Sequence, residues 1–256
     1  VTDPALDAAI FDAAIFDAAI FDTAIFDAAI FDAAIFDMDG LLVDSEPLWH
    51  EAEIEILGGL GVPLVASACR QTKGMLVYEV TDHWFERFPW DGPTPAEVAV
   101  QIVDRVMELV ERQGALKPGV AGALDSCRRR GLPMAVASSS EYRLIDLVLE
   151  HFDLAEEFQL VHSAEDEPYG KPHPGVFLTA AAKLGAAPER CVVWEDSPAG
   201  VLAAKAARMA CVAVPEAVER HRPAFAIADV VLGSLEEVDD GMWERLAAAR
   251  RGGVAG

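Results

Sequence analysis

Six short apolar runs separated by longer stretches of helical spacing limit the folds open to this chain more than any other feature. The runs lie at 33–36, 133–137, 159–162, 191–194, 211–214 and 230–232. Most are continuously apolar rather than alternating, as strands buried on both faces must be. Helical patterns at 119–130, 141–152, 174–184 and 198–208 intervene, the first of them closed by basic residues and Gly131. Strand and helix in alternation predict an α/β chain with a Rossmann-like parallel sheet and helices on both faces. Residues 47–114 break the alternation. Segments 48–60, 77–88 and 95–113 read as helices, with turn signals at Gly58-Gly59 and 89–93 and no strand. An inserted all-helical cap domain is predicted there, with 114–119 as its return hinge. The expected organisation is a repeat extension over 1–32, a catalytic core over 33–46 and 115–246, the cap over 47–114, and a flexible tail over 247–256.

The first predicted strand is also the last copy of a tandem repeat. DAAIF runs six times from Asp7 to Phe36, with Thr23 as the one variant, and Asp37 opens a seventh copy that breaks off. In a helix, a five-residue period rotates successive aspartates by about 140° and leaves no amphipathic stripe. In a strand, an odd period sends them to alternate faces. Alanine favours helix and the Ile-Phe pairs favour strand, so the conformation stays open. Two readings of the repeat are carried: a multiplied strand segment without catalytic part, and a module for self-association.

At 256 residues and 52% hydrophobic, the chain can bury a sizeable core. Its net charge of −23 argues against nucleic-acid partners, which demand clustered Lys and Arg. Fourteen of the acids precede the first basic residue, Arg70, leaving −9 for residues 70–256. The four cysteines form no CxxC pair and read as reduced core thiols of a cytoplasmic protein. No leader and no membrane span are expected, because the N-terminus lacks positive charge and an aspartate interrupts the repeat every five residues.

Four polar pieces each follow a predicted strand, where an open parallel sheet binds its ligands. The first is Asp37-Met38-Asp39-Gly40, two carboxylates that can enter one site, one to attack and one to move protons. The second is Ser138, with Ser139 and Ser140 behind it, an anion seat of hydroxyl and backbone N–H groups. The third is Lys171 in a proline-stiffened loop, a candidate phosphate clamp. The fourth is Glu195-Asp196, oxygen donors suited to a hard cation such as Mg²⁺. Each alone admits a plainer reading: a solvated turn, a helix cap, a surface lysine, a second helix cap. All four in order, each at a strand end, make the sharper signal.

Those pieces resemble the haloacid dehalogenase (HAD) superfamily of phosphatases. The matching stretches are AIFDMDGLLVDSEPLW, MAVASSS, YGKPHPGVFL and VVWEDSPAGVLAAKAA, covering the chain from 33 to about 246. Residues 88–93 and 206–209 extend the likeness to the bacterial 2-deoxyglucose-6-phosphatase and hexitol phosphatase group, kin of beta-phosphoglucomutase. The resemblance implies an HAD-like core and hydrolysis of small sugar or polyol phosphates. Asp37 would be the nucleophile that forms an aspartyl-phosphate, and Asp39 the general acid and base in a partly desolvated setting. Asp37, the carbonyl of Asp39 and Asp196 would hold Mg²⁺, with Glu195 a supporting acid. Ser138, Ser139 and Lys171 would bind the phosphoryl oxygens, and Trp49, Lys73 and Gly74 of the cap would face substrate or simply pack. A sugar phosphate mutase is the alternative. Its relatives carry a histidine ten residues after the second aspartate, and this chain has Trp49 there, which favours hydrolysis. A self-associating protein on a relict phosphatase domain is a third reading, opposed by the completeness of the four pieces.

Overall fold

The computed structural model describes residues 30–252. The repeat copies before Ile30, and the self-association raised for them, lie outside the described residues. Strands β1 (Ala33–Phe36), β2 (Met134–Ser138), β3 (Leu160–Ser163), β4 (Cys191–Glu195), β5 (Ala210–Ala213) and β6 (Val230–Val231) form one parallel sheet in the order β3-β2-β1-β4-β5-β6. Strands β2 and β3 sit one residue later than their apolar runs suggest, so Ser138 pairs with Ser163, and β4 extends to Glu195. The backbone ladder continues past the last apolar side chain, which the polarity pattern cannot register.

Alternate strand residues face opposite sides. Ala34, Phe36, Val136, Val192 and Trp194 enter one core, while Ala33, Ile35, Ala135, Val193 and Cys211 enter the other. Phe36 stacks on Trp194 with ring centroids 5.4 Å apart. The second core is built from small residues. Ala180 and Ala181 of α7 (Gly175–Leu184) and Ala203 and Ala204 of α8 (Pro198–Ala206) pack against the strand alanines. Helices α5 (Val120–Arg129), α6 (Tyr142–His151) and α9 (Asp240–Gly252) complete the core elements.

Helix α9 corrects one expectation. Residues 247–252 are helical rather than a loose tail, and Ala247 is buried. The glycines and arginines that suggested fraying follow a face, Met242, Trp243 and Leu246, that is buried in the core. That burial carries the helix onward.

Between β1 and α5 the chain forms α1 (Glu46–Gly59), α2 (Ala66–Cys69), α3 (Val77–Arg87) and α4 (Pro95–Gln113), with no strand, as expected. The four-residue α2 was not anticipated, being too short to show a period. Both α1 and α3 pack on α4. Helix α4 opens with a capping box, where Thr94 N–H donates to Glu97 Oε2 at 2.8 Å and Glu97 N–H donates to Thr94 Oγ1 at 3.3 Å. The two connections to this block run side by side, with Asp44 N–H on Ala115 O at 2.8 Å and Lys117 N–H on Leu42 O at 2.9 Å. Among the described residues no helix is long and apolar enough to cross a membrane.

Candidate active site

The four polar pieces meet at the carboxyl ends of β1, β2 and β4, beneath the helical block. The strand order reverses direction between β1 and β4, the place where a parallel sheet opens a crevice. A cavity lies there, lined by Asp37, Asp39, Ser138, Ser139 and Asp196 from below and by Trp49, Lys73 and Gly74 from above. Lys171 and Glu195 are buried just behind its floor.

Lys171 is the electrostatic centre. Its Nζ donates to Asp37 Oδ1 at 2.6 Å, to Glu195 Oε1 at 2.7 Å and to Ala137 O at 3.3 Å. Burial pushes this ammonium down, but Asp37 and Glu195 more than offset it and hold it above its usual value. Glu195 is fully engaged, since its Oε2 accepts from Ser197 N–H at 2.7 Å. Glu195 therefore stands behind Lys171 as its bracket. Burial pushes Asp37 well above the usual carboxylate range, with Lys171 opposing and Glu195, Asp196 and Asp39 reinforcing the rise.

The donor set fits a hard cation. Oxygens of Asp37, Glu195 and Asp196 lie within 4.8 Å of one another, all buried. Both carboxylate oxygens of Asp196 are buried; Lys73 Nζ answers Oδ2 at 2.6 Å, and Oδ1 has no hydrogen-bond partner. Burial pushes Asp196 up to about 7 against the pull of Lys73. Three buried carboxylates answered by two lysines, one of them shared with Glu46, Glu216 and Glu219, leave negative charge that a divalent cation would offset.

Gly40 lets Asp196 come this close. Its φ of +74° lies in the left-handed region, and a Cβ there would stand 2.2 Å from Asp196 Oδ2. Gly40→Ala is expected to cost at least about 1–2 kcal/mol from the backbone alone and to displace the carboxylate as well. Calorimetry checks this as a lowered melting temperature, and an unchanged one would contradict it.

Asp39 is held by three donors. Ser45 Oγ at 2.6 Å and Trp49 Nε1 at 2.8 Å donate to Oδ1, and Ser140 Oγ at 2.7 Å donates to Oδ2. Trp49 thus reaches back from α1 to the second aspartate. Lys73 is buried and enclosed by Asp196, Glu46, Glu216 and Glu219. Gly74 offers its carbonyl to Ser139 Oγ at 2.8 Å, tying the helical block to the loop after β2. Ser138 Oγ accepts from Ser140 N–H at 3.1 Å, and α6 begins only at Tyr142, so Ser138 shapes a turn and caps no helix. The sequence places Ser140 in the serine run after β2 and gives Ser45 no part, and in neither case does it point to a bond with Asp39. Their only signal was position, one beside the first motif and one within the serine run.

Asp32 and Asp37 are preceded by the same repeat, Asp-Ala-Ala-Ile-Phe, but have opposite fates. Asp32 lies at the amino end of β1, paired on the surface with Arg190, whose guanidinium holds the carboxyl below its usual range. Of these two, only Asp37 is in the cavity.

Residues 31–208 match the family model described as haloacid dehalogenase-like hydrolase. Hexitol phosphatase B of Escherichia coli (strain K12) is 45% identical over 202 residues, which span 78% of this chain and 91% of that protein. A fructose-1-phosphate phosphatase of the same organism is 32% identical, spanning 69% of this chain and 93% of its own. Among solved structures, CbbY from Rhodobacter sphaeroides in complex with phosphate superposes with a TM-score of 0.73 at 29% identity, covering 81% of this chain and 96% of that one.

Proposed function

The chain belongs to the haloacid dehalogenase-like hydrolases and is a phosphoric monoester hydrolase, and from that premise we propose that it hydrolyses phosphate monoesters of small sugars or sugar alcohols with Mg²⁺. The observation that carries this reading is the burial of Asp37 against Lys171 with Asp39 held two residues on. Asp37, Asp196 and the carbonyl of Asp39 would hold the ion, with Glu195 beside them. When bound, Mg²⁺ neutralises charge on the carboxylates and on the phosphoryl group.

In the first step, a carboxylate oxygen of Asp37 bonds to phosphorus while the phosphorus–oxygen ester bond breaks. Asp39 gives its proton to the departing alkoxide. Trp49 Nε1–H can only donate, so Oδ1 remains an acceptor, whereas the Ser140 hydroxyl can reverse its role. The transferable proton therefore belongs on Oδ2. In the second step, water attacks the aspartyl-phosphate, Asp39 takes back a proton, and the bond between Asp37 and phosphorus breaks. Lys171 and the serines 138 and 139 position the phosphoryl oxygens, and the helical block covers the site as a cap. The four buried, unpaired cysteines suit a reducing cytoplasmic setting.

Phosphate release over a panel of hexose, hexitol and pentose phosphates, with Mg²⁺ and with a chelator, tests this. Release is expected only with the metal. Metal-independent release, or a product in which phosphate has moved to another hydroxyl of the same sugar, would contradict it.

A further inference from the structure

The phosphoryl chemistry uses the floor of the cavity and leaves part of its upper wall unassigned. His50 and Glu53 stand three positions apart on α1, hence on one face, and both line the cavity. Glu53 is 7% exposed, and its Oε2 is buried without a hydrogen-bond partner. His50 Nε2 is also buried without a partner, with Glu46 Oε2 at 3.8 Å, beyond hydrogen-bond reach. Two such groups on residues that line one cavity, with only the weak thiol of Cys69 beside Glu53, are costly unless a ligand completes them.

The surroundings narrow that ligand. Val77, Val80 and Val103 give the cavity an aliphatic side suited to a carbon chain. No arginine lines it, and its one lysine, Lys73, is enclosed by four carboxylates. Glu46, Glu53 and Glu141 also line it, so a second anion would find no free cation there. A hydroxyl can donate to Glu53 and can accept from or donate to the imidazole.

We propose that His50 and Glu53 form the subsite for hydroxyls of a neutral polyol or sugar leaving group, and that the same wall turns away substrates bearing a second phosphate. This rests on the phosphatase reading and adds the residues that meet the leaving group and the exclusion of a second phosphate. Burial pushes the Glu53 carboxyl up to about 7, so near neutrality it can meet a hydroxyl as acceptor or donor. Burial pushes His50 down, which favours the neutral ring with one donor and one acceptor nitrogen.

The test compares kcat/KM, with Mg²⁺, for sorbitol 6-phosphate, for acetyl phosphate, whose leaving group has no hydroxyl beyond the reacting oxygen, and for fructose 1,6-bisphosphate. In Glu53→Leu the sorbitol-to-acetyl ratio should fall roughly tenfold through KM, the scale of losing one hydrogen bond to the leaving group. Glu53→Gln should restore most of that ratio while raising the relative rate on the bisphosphate, because it keeps the hydrogen bonds and loses the charge. His50→Phe should act like Glu53→Leu, which keeps the test open where one variant folds poorly. The proposal is overturned by ratios within twofold of the parent in both apolar variants, or by a parent that takes the bisphosphate as readily as the monophosphate. Calorimetric binding of sorbitol 6-phosphate to Asp37→Asn chain separates this from failure of the phosphatase reading. There, Glu53→Leu should weaken Kd at least fivefold whether or not any ester is turned over, and an unchanged Kd would also overturn the subsite.

Discussion

Asp37→Asn is expected to lower Mg²⁺-dependent phosphate release by roughly 10⁴-fold or more, the scale on which losing a nucleophile costs an enzyme. The amide keeps the shape of the side chain and removes the oxygen lone pair that would bond phosphorus. Folding should survive. Asp37 sits among Glu195, Asp196 and Asp39, which push its proton affinity up, so a neutral group relieves repulsion while the amide oxygen still meets Lys171. The measurement is initial-rate phosphate release at saturating sugar phosphate, with melting temperature recorded on the same samples. A variant as active as the parent would remove Asp37 from the chemistry. A variant that is inactive and unfolded would not satisfy the expectation, which requires lost turnover in an intact fold.

Lys171→Met should be the substitution with the largest effect on stability. Its ammonium is 2% exposed, and it answers Asp37 at 2.6 Å and Glu195 at 2.7 Å. Methionine keeps a similar stem, which can still lie against Phe177, whose ring centre is 4.8 Å from Nζ. What disappears is the counter-charge for two buried carboxylates. Breaking a buried pair from one side costs about 3–5 kcal/mol, and at about 2–4 °C per kcal/mol for a chain this long the melting temperature should drop by roughly 6–20 °C. Calorimetry in chelator isolates this from metal binding. Adding Glu195→Gln to Lys171→Met should recover part of the loss, because one uncompensated charge goes with it. A drop of less than about 2 °C in the single variant would mean that these carboxylates are balanced by something other than Lys171.

Much of this site was legible before any coordinates. Asp37, Ser138 and Asp196 stand at the ends of apolar runs that a strand buried on both faces leaves behind, and Lys171 lies in the loop after the fainter run of β3. Parallel order then brings the ends of those runs to one edge, so residues 37 and 171 could be placed together across 134 positions. Glu195-Asp196 reads from the sequence as paired oxygen donors, to which the family resemblance assigns the metal at Asp196 and a supporting part at Glu195. The fold divides them, giving Glu195 to Lys171 and Ser197 while Asp196 faces the cavity. Adjacent residues leaving a strand point to opposite sides, and the sequence could not say which side the cavity would occupy.

The helical block was legible as helices and opaque as a surface. Which of Trp49, His50 and Glu53 would meet the floor depends on the rotation of α1 about its axis, and that is set by packing on α4. Trp49 turned out to reach Asp39, and Lys73 to reach Asp196. Ser45 and Ser140 both join Asp39 from later in the chain, 6 and 101 positions on. By itself, the sequence determined the sheet, the inserted helices and the residue types at the strand ends, because those follow from local polarity and period. Only the tertiary structure decided that Asp32 would be a surface ion pair and Asp37 a buried one. The same repeat precedes both, but Ala33-Ala34 follows Asp32 and Met38-Asp39 follows Asp37, and they stand at opposite ends of β1: one beside Arg190 in solvent, the other where β1, β2 and β4 end around Lys171.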